Sequence, residues 1–222
     1  EPSTYYFLFK DSMKIKPKTI TQSVFFRKGD YYSLKDVDQT YNSLMGLKMY
    51  KFVNIQFQAP VPDTSLKSNN LLDCIIQLTR TPVQSISAET EATNSSGNLG
   101  IAGNLVYQNK NVFRGAEIFI FKVRGALEIQ KVFGEKNTET GLQELLPNTK
   151  ETGADMSFTI PKFLIPVRQE RFPKSFRPVT NIISGISYQK RPDYTRYIIN
   201  ASYGFEWKEI GSGIYDSAAL HV

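Results

Sequence analysis

The chain has 222 residues, 27 basic against 21 acidic side chains, a formal charge of +6, one cysteine and one histidine. Cys74 alone forbids an internal disulfide, and His221 alone leaves neither a histidine-rich metal centre nor a Ser-His-Asp triad, so no metal, cofactor or hydrolytic chemistry is expected. No block of five like charges supports nucleic-acid binding. No window approaches about eighteen apolar residues, so no membrane-spanning helix is expected, while barrel strands carry too weak a signal to be excluded this way.

The chain opens on Glu1-Pro-Ser-Thr4 without a signal peptide and is read as a piece of a longer protein. Tyr5–Phe9 is a short apolar strand candidate. Pro17 suits the first turn of a helix carrying Ile20 and Val24, because the N–H it lacks would be unsatisfied there anyway. Gly29 marks a turn within Arg27–Asp30. Ser33 then caps a helix with Asp36 in its first turn and Leu34, Val37, Tyr41, Leu44 and Met45 along one side, stopped by a left-handed Gly46. Phe52–Gln58 alternates, with Val53, Ile55 and Phe57 on one side and Asn54, Gln56 and Gln58 on the other. Residues 60–70 read as a loop and Leu71–Leu78 as a third strand, in which Cys74 is expected to be a buried structural thiol. The predicted order over residues 1–81 is β-α-α-β-β, a small sheet covered by two helices.

Thr81-Pro82 marks a break, since proline cannot donate to a ladder. Beyond it nothing reads as a helix. About six strands are expected, at Gln84–Thr93, Asn98–Gln108, Glu117–Lys131, Thr152–Ile160, Thr180–Tyr188 and Tyr194–Trp207. The last is clearest, with Tyr197, Ile199, Ala201, Tyr203, Phe205 and Trp207 on one face and Arg196, Asn200, Ser202 and Glu206 on the other. Aromatic rings at both ends with small or aliphatic residues between suit a transmembrane β-strand, whose rings sit at the headgroup levels. In Glu117–Lys131, Phe119, Phe121, Val123, Leu127 and Ile129 would face lipid while Lys122, Arg124, Glu128 and Gln130 face inward. The early turns are short, and the connections at 134–150 and 163–178 are long. A one-sided sheet packed on a soluble core would satisfy the same alternation.

These segments resemble the BamA/TamA superfamily of outer-membrane assembly proteins, in its Bacteroidota-type branch. The carrying residues are Lys28-Gly-Asp-Tyr-Tyr-Ser33, Thr40-Tyr-Asn-Ser-Leu44, Phe52-Val-Asn-Ile-Gln-Phe57, Leu72–Leu78, Asn94-Ser-Ser-Gly97, Asn111-Val-Phe-Arg-Gly-Ala-Glu117 and Arg191-Pro-Asp-Tyr-Thr-Arg196. Each is weak alone, and their order and spacing make the resemblance. It implies an α+β POTRA domain at 1–81, followed at 82–222 by the first part of an antiparallel transmembrane β-barrel. Family members have sixteen barrel strands, so a partial barrel is implied. Val123-Arg-Gly-Ala126 is only superficially similar to the family's luminal motif and is given no role.

The resemblance further implies a non-enzymatic protein that inserts or translocates other polypeptides at the outer membrane, with its front domain in the periplasm. Its partners would be unfolded outer-membrane clients, membrane lipid and accessory subunits. Val53, Asn54, Ile55, Gln56 and Phe57 would form an edge strand that templates an incoming chain through unpaired backbone groups; the same edge would also suit plain solvation or a neighbouring domain. Ile86, Ala88, Thr90 and Ala92 would line the outer side of a weakly held barrel seam. Tyr197, Tyr203, Phe205 and Trp207 would form a lipid-facing girdle. A dedicated transporter for one client and a soluble or periplasmic all-β binding protein are the competing expectations.

Overall fold

The structure is a computed structural model that describes residues 5–9, 12–59, 71–95, 98–129, 147–165, 176–210 and 215–221. The loop expected at 60–70, and most of those expected at 134–150 and 163–178, lie outside the described residues.

Helix α1, Pro17–Gln22, has Pro17 in its first turn, where the missing N–H costs nothing. Helix α2, Leu34–Gly46, starts at Ser33, whose hydroxyl accepts from the Asp36 N–H at 3.4 Å. Its buried side is not the expected stripe. Thr40 and Leu44, one turn apart, face inward, while Leu34 and Tyr41 are exposed. Thr40 is tolerated there because its hydroxyl donates to the Asp36 carbonyl at 2.7 Å and accepts from the Phe25 N–H at 3.0 Å, leaving no unpaired polar atom. Gly46 ends the helix without positive φ; the left-handed residue is Lys48, at φ 56°.

Strands β1, Tyr50–Gln58, and β2, Asp73–Arg80, pair antiparallel with Val53 opposite Leu78, Ile55 opposite Ile76 and Phe57 opposite Cys74. Their inner side and α2 close on a core of Ile15, Leu44, Leu47, Met49, Tyr50 and Val53. These two strands form the whole of this sheet among the described residues. The expected β-α-α-β-β POTRA domain is therefore corrected: the order is α-α-β-β, and Tyr5–Phe9 joins no ladder. A five-residue apolar run cannot distinguish a strand from an extended tail, and here Tyr6 and Leu8 project into solvent while the Tyr5 hydroxyl reaches the Phe26 carbonyl at 3.3 Å.

Thr81 and Pro82 then lead into a seven-stranded antiparallel meander. Its strands are β3 Gln84–Ser95, β4 Asn98–Asn109, β5 Ile118–Ile129, β6 Thr149–Ile160, β7 Val179–Lys190, β8 Thr195–Ile210 and β9 Tyr215–His221. Each pairs with its chain neighbours, so β3 and β9 each keep one free edge among the described residues and the sheet is open rather than a closed barrel. The chain is thus nearly all β, with two helices confined to residues 17–46 among the described residues, rather than an α+β POTRA domain followed by barrel strands. β9 was not foreseen; it pairs with β8 from Gly204 opposite His221 to Ile210 opposite Tyr215.

Long and short connections do not sort by end. The β5–β6 and β6–β7 connections are the long ones, and an up-and-down meander places them at opposite ends of the sheet. The inequality expected of a barrel with tight turns on one side is absent from this part of the chain.

Candidate functional site

Antiparallel register places directly opposed residues on one face, so the pairing fixes both faces across the sheet. One row runs Ala88, Leu105, Val123, Ala154, Ile186, Ile199 from β3 to β8. The next toward the α-helical end runs Ile86, Tyr107, Phe121, Met156, Ser184, Ala201. This face is apolar throughout its middle and it is uncovered: Ile199 is 78% exposed, Ile86 77% and Tyr197 70%. Among the described residues no second layer of protein packs on it, and the buried apolar cluster lies instead around α2 and β1.

The reverse face carries most of the charged and polar residues, with Ile183 and Ile198 among them. Glu89, Asn104, Arg124, Gly153, Ser187 and Ile198 form one of its rows, and Glu91, Ala102, Ala126, Glu151, Gln189 and Arg196 the next. Arg124 Nε lies 3.9 Å from Glu151 Oε1, a half-exposed pair worth little on its own. Gln189 extends it, donating to Glu151 at 3.4 Å and accepting from Arg196 at 3.0 Å and the Tyr194 hydroxyl at 3.3 Å. Gly185 belongs here for a packing reason: a Cβ would collide with the side-chain oxygens of both Asp155 and Asn200.

Aromatic rings collect toward both ends of the apolar face. At the α-helical end Tyr107, Phe119 and Phe158 follow one another at 6.4 Å, and Phe113 meets Phe158 edge-on at 5.9 Å. Nearby, Phe163 packs edge-on to Phe205 at 5.9 Å and Trp207 at 6.2 Å, while the Tyr203 hydroxyl donates to the Leu164 carbonyl at 2.6 Å. Toward the other end Tyr188 and Tyr197 pair at 4.9 Å, and Lys150 opposite Lys190 marks the next row. Tyr197 and Trp207 lie ten residues apart on β8, ~33 Å along a strand and ~25 Å after a tilt of about 40°, close to the apolar height of a barrel.

Of the four expected girdle residues, Tyr197 is largely exposed against the Tyr188 ring, whereas Tyr203, Phe205 and Trp207 are engaged by the corner at Phe163 and Leu164. That corner was missed, since its sequence shows only a proline-broken connection. It is held by Thr180, fully buried, whose hydroxyl accepts from the Leu164 N–H at 3.0 Å and donates to the Lys162 carbonyl at 2.7 Å.

The expected seam residues Ile86, Ala88, Thr90 and Ala92 lie on the apolar face of β3, all exposed, on a strand whose other edge is unpaired among the described residues. On β1, Val53 is buried and Ile55 and Phe57 are half-buried, with Phe57 against Phe26 at 5.8 Å and Tyr32 at 5.0 Å, while Asn54 and Gln56 face solvent. The β1 edge away from β2 bears no strand among the described residues. Cys74 is half-buried rather than buried, and desolvation pushes its thiol up. The structure brings the seam and girdle residues onto one surface and leaves the β1 residues in a separate sheet.

Between the two sheets stands a turn the sequence singled out only as a motif, Asn111–Glu117. Glu117 is buried and its carboxylate accepts from the Phe113 and Gly115 N–H groups at 3.1 and 2.9 Å. Arg114 and Ala116 adopt φ of 67° and 63°, and a Cβ on Gly115 would strike the Glu117 carboxylate. Asn111 donates to the Lys14 carbonyl at 2.8 Å, Arg114 donates to the Met13 carbonyl at 2.5 Å, and the Lys16 N–H donates to the Arg114 carbonyl at 2.8 Å. Arg177, its basicity lowered by burial, donates from the β6–β7 connection to the Gln39 carbonyl on α2 at 3.3 Å.

Among the described residues no helix is long and apolar enough to cross a membrane, which says nothing about crossing by strands. No family model matches the chain, and no curated protein does. Among solved structures it is similar to BamA from Haemophilus ducreyi lacking POTRA domains 1–3, at 11% identity and a TM-score of 0.35. The similarity covers 94% of this chain and 46% of that one, so the chain spans less than half the length of the protein it matches.

Proposed function

We propose that this chain forms part of an outer-membrane β-barrel that inserts or translocates other outer-membrane polypeptides, in the manner of the BamA/TamA superfamily it resembles. The observation that carries the membrane reading is the uncovered apolar face of β3 to β8, backed by a polar one. Apolar surface left in water forgoes roughly 25 cal/mol per Å², and a patch this extensive needs a covering. Lipid meets that need, and the aromatic rings toward both ends of β8 stand where headgroups would lie. A soluble sandwich would need a second sheet over this face.

Client handling rests on the sequence resemblance and on two backbone edges that are unpaired among the described residues. The outer edge of β1, at Val53–Phe57, and the free edge of β3, at Ile86–Ala92, can each accept an extended chain through main-chain hydrogen bonds with little regard to its sequence. The small side chains of β3 bury little area against a closing strand, which suits a seam that opens. Such exchange of backbone partners requires no hydrolytic cofactor. The α-helical region would lie in the periplasm, where accessory subunits could reach it.

Two experiments test this in sequence. The intact protein should partition into detergent and migrate faster unheated than boiled; a water-soluble monomer without heat modifiability would overturn the membrane reading. Locking Ala88 by a disulfide to the strand that closes the barrel should then arrest outer-membrane biogenesis. Undiminished growth with the lock complete would remove the insertion reading, and loss of a single client from the outer membrane would favour a dedicated transporter.

A further inference from the structure

Where β2 hands over to β3, an open cleft of about 820 Å³ is lined by Ser12, Met13, Lys14, Arg80, Thr81, Pro82, Val83, Gln84, Asn109, Asn111 and Arg114. Three of these are cations and none is acidic. Among the described residues no ion pair answers Lys14, Arg80 or Arg114. Three positive charges around one cavity repel one another, and an anion relieves that cost.

The remaining polarity narrows the ligand. Asn111 already spends its amide on the Lys14 carbonyl and the Ala116 N–H, and Asn109 accepts from the Asn111 N–H. Arg114 uses one nitrogen on the Met13 carbonyl, leaving further donors on its guanidinium. The free groups are thus mostly donors, as an oxyanion requires. Met13, Pro82 and Val83 add an apolar wall, and the volume exceeds what a bare phosphate would fill.

We infer that this cleft binds a phosphate-bearing amphiphile, its phosphate on Lys14, Arg80 and Arg114 and its apolar part against Met13, Pro82 and Val83. Gln84 and Asn109, at the α-helical end of β3 and β4, place the cleft beside the apolar face, where phospholipid headgroups would lie. Choosing a lipid as the source rests on the membrane reading; the charge of the cleft does not.

The test is calorimetric titration of the intact protein in neutral detergent with dihexanoyl phosphatidic acid, dihexanoyl phosphatidylcholine and inorganic phosphate. Phosphatidic acid should bind, and Lys14→Gln with Arg80→Gln should weaken it by roughly tenfold or more, since both residues are exposed and would donate charge-assisted bonds to the phosphate. Inorganic phosphate binding as tightly as the lipid would overturn the amphiphile in favour of a free anion. Equal binding of phosphatidylcholine, unchanged affinity in the double variant, or no binding at all would overturn the site. Heat modifiability of the same preparations separates this from failure of the membrane reading: a variant that loses lipid affinity but still migrates as a folded barrel isolates the cleft.

Discussion

Glu117 fixes a left-handed turn by accepting two backbone N–H groups with one buried carboxylate. Removing it strands both donors, so Glu117→Ala should destabilise the protein by about 1–3 kcal/mol in denaturant titration, while Glu117→Gln, which keeps an acceptor, should lose less. Equal stability of all three forms would mean that water replaces the carboxylate. Tyr50 offers a second residue-level test, outside the β3–β9 sheet. Burial pushes its hydroxyl up to about 12 from 10.0, against the smaller opposing pull of Arg80. The unfolded chain therefore loses this proton first, so the tyrosine's contribution is complete below pH 10 and fades as pH rises toward 12. Tyr50→Phe should flatten that alkaline decline relative to the wild type; parallel curves for the two proteins would place the alkaline sensitivity elsewhere.

The strands speak through parity. On β8, Ile199 belongs to the apolar face and Ser202 to the polar one, three residues apart on the same strand. Ile199→Arg should cost roughly 2–4 kcal/mol of folding free energy in phospholipid vesicles, as for a cation near the bilayer midplane, whereas Ser202→Arg should cost less than about 1. Equal costs would mean that lipid does not contact that face. Parity is also what made the six longer strands legible in the sequence: alternation over nine or more residues leaves little freedom of register. The shorter elements were not legible for the same reason. Tyr5–Phe9 is a uniformly apolar run too short to demand a partner, and β9 follows a Gly-Ser-Gly run that hid its start. On α2 the stripe was misplaced because Thr40 looks polar in sequence, and only the Phe25 N–H, fifteen residues away, lets it face inward.

For the whole molecule, the two sheets are joined by backbone-directed polar bonds from Asn111, Arg114 and Arg177, together with Ala116 inserted into the core beneath α2. None of these contacts follows a periodic pattern, which is why the sequence marked Asn111–Glu117 as a motif without saying what it held. The apolar face, by contrast, was readable residue by residue, and the membrane proposal descends from where it points. Its surroundings can be measured directly. With Cys74 replaced by Ala, spin labels placed singly at residues 197 to 203 and reconstituted in vesicles report access to oxygen, which dissolves in lipid, and to a water-soluble nickel complex. Labels at 197, 199, 201 and 203 should favour oxygen, and those at 198, 200 and 202 the nickel complex. Uniform access to water along β8, or odd-numbered labels shielded from both probes by protein, would contradict a strand lying between lipid and an aqueous interior.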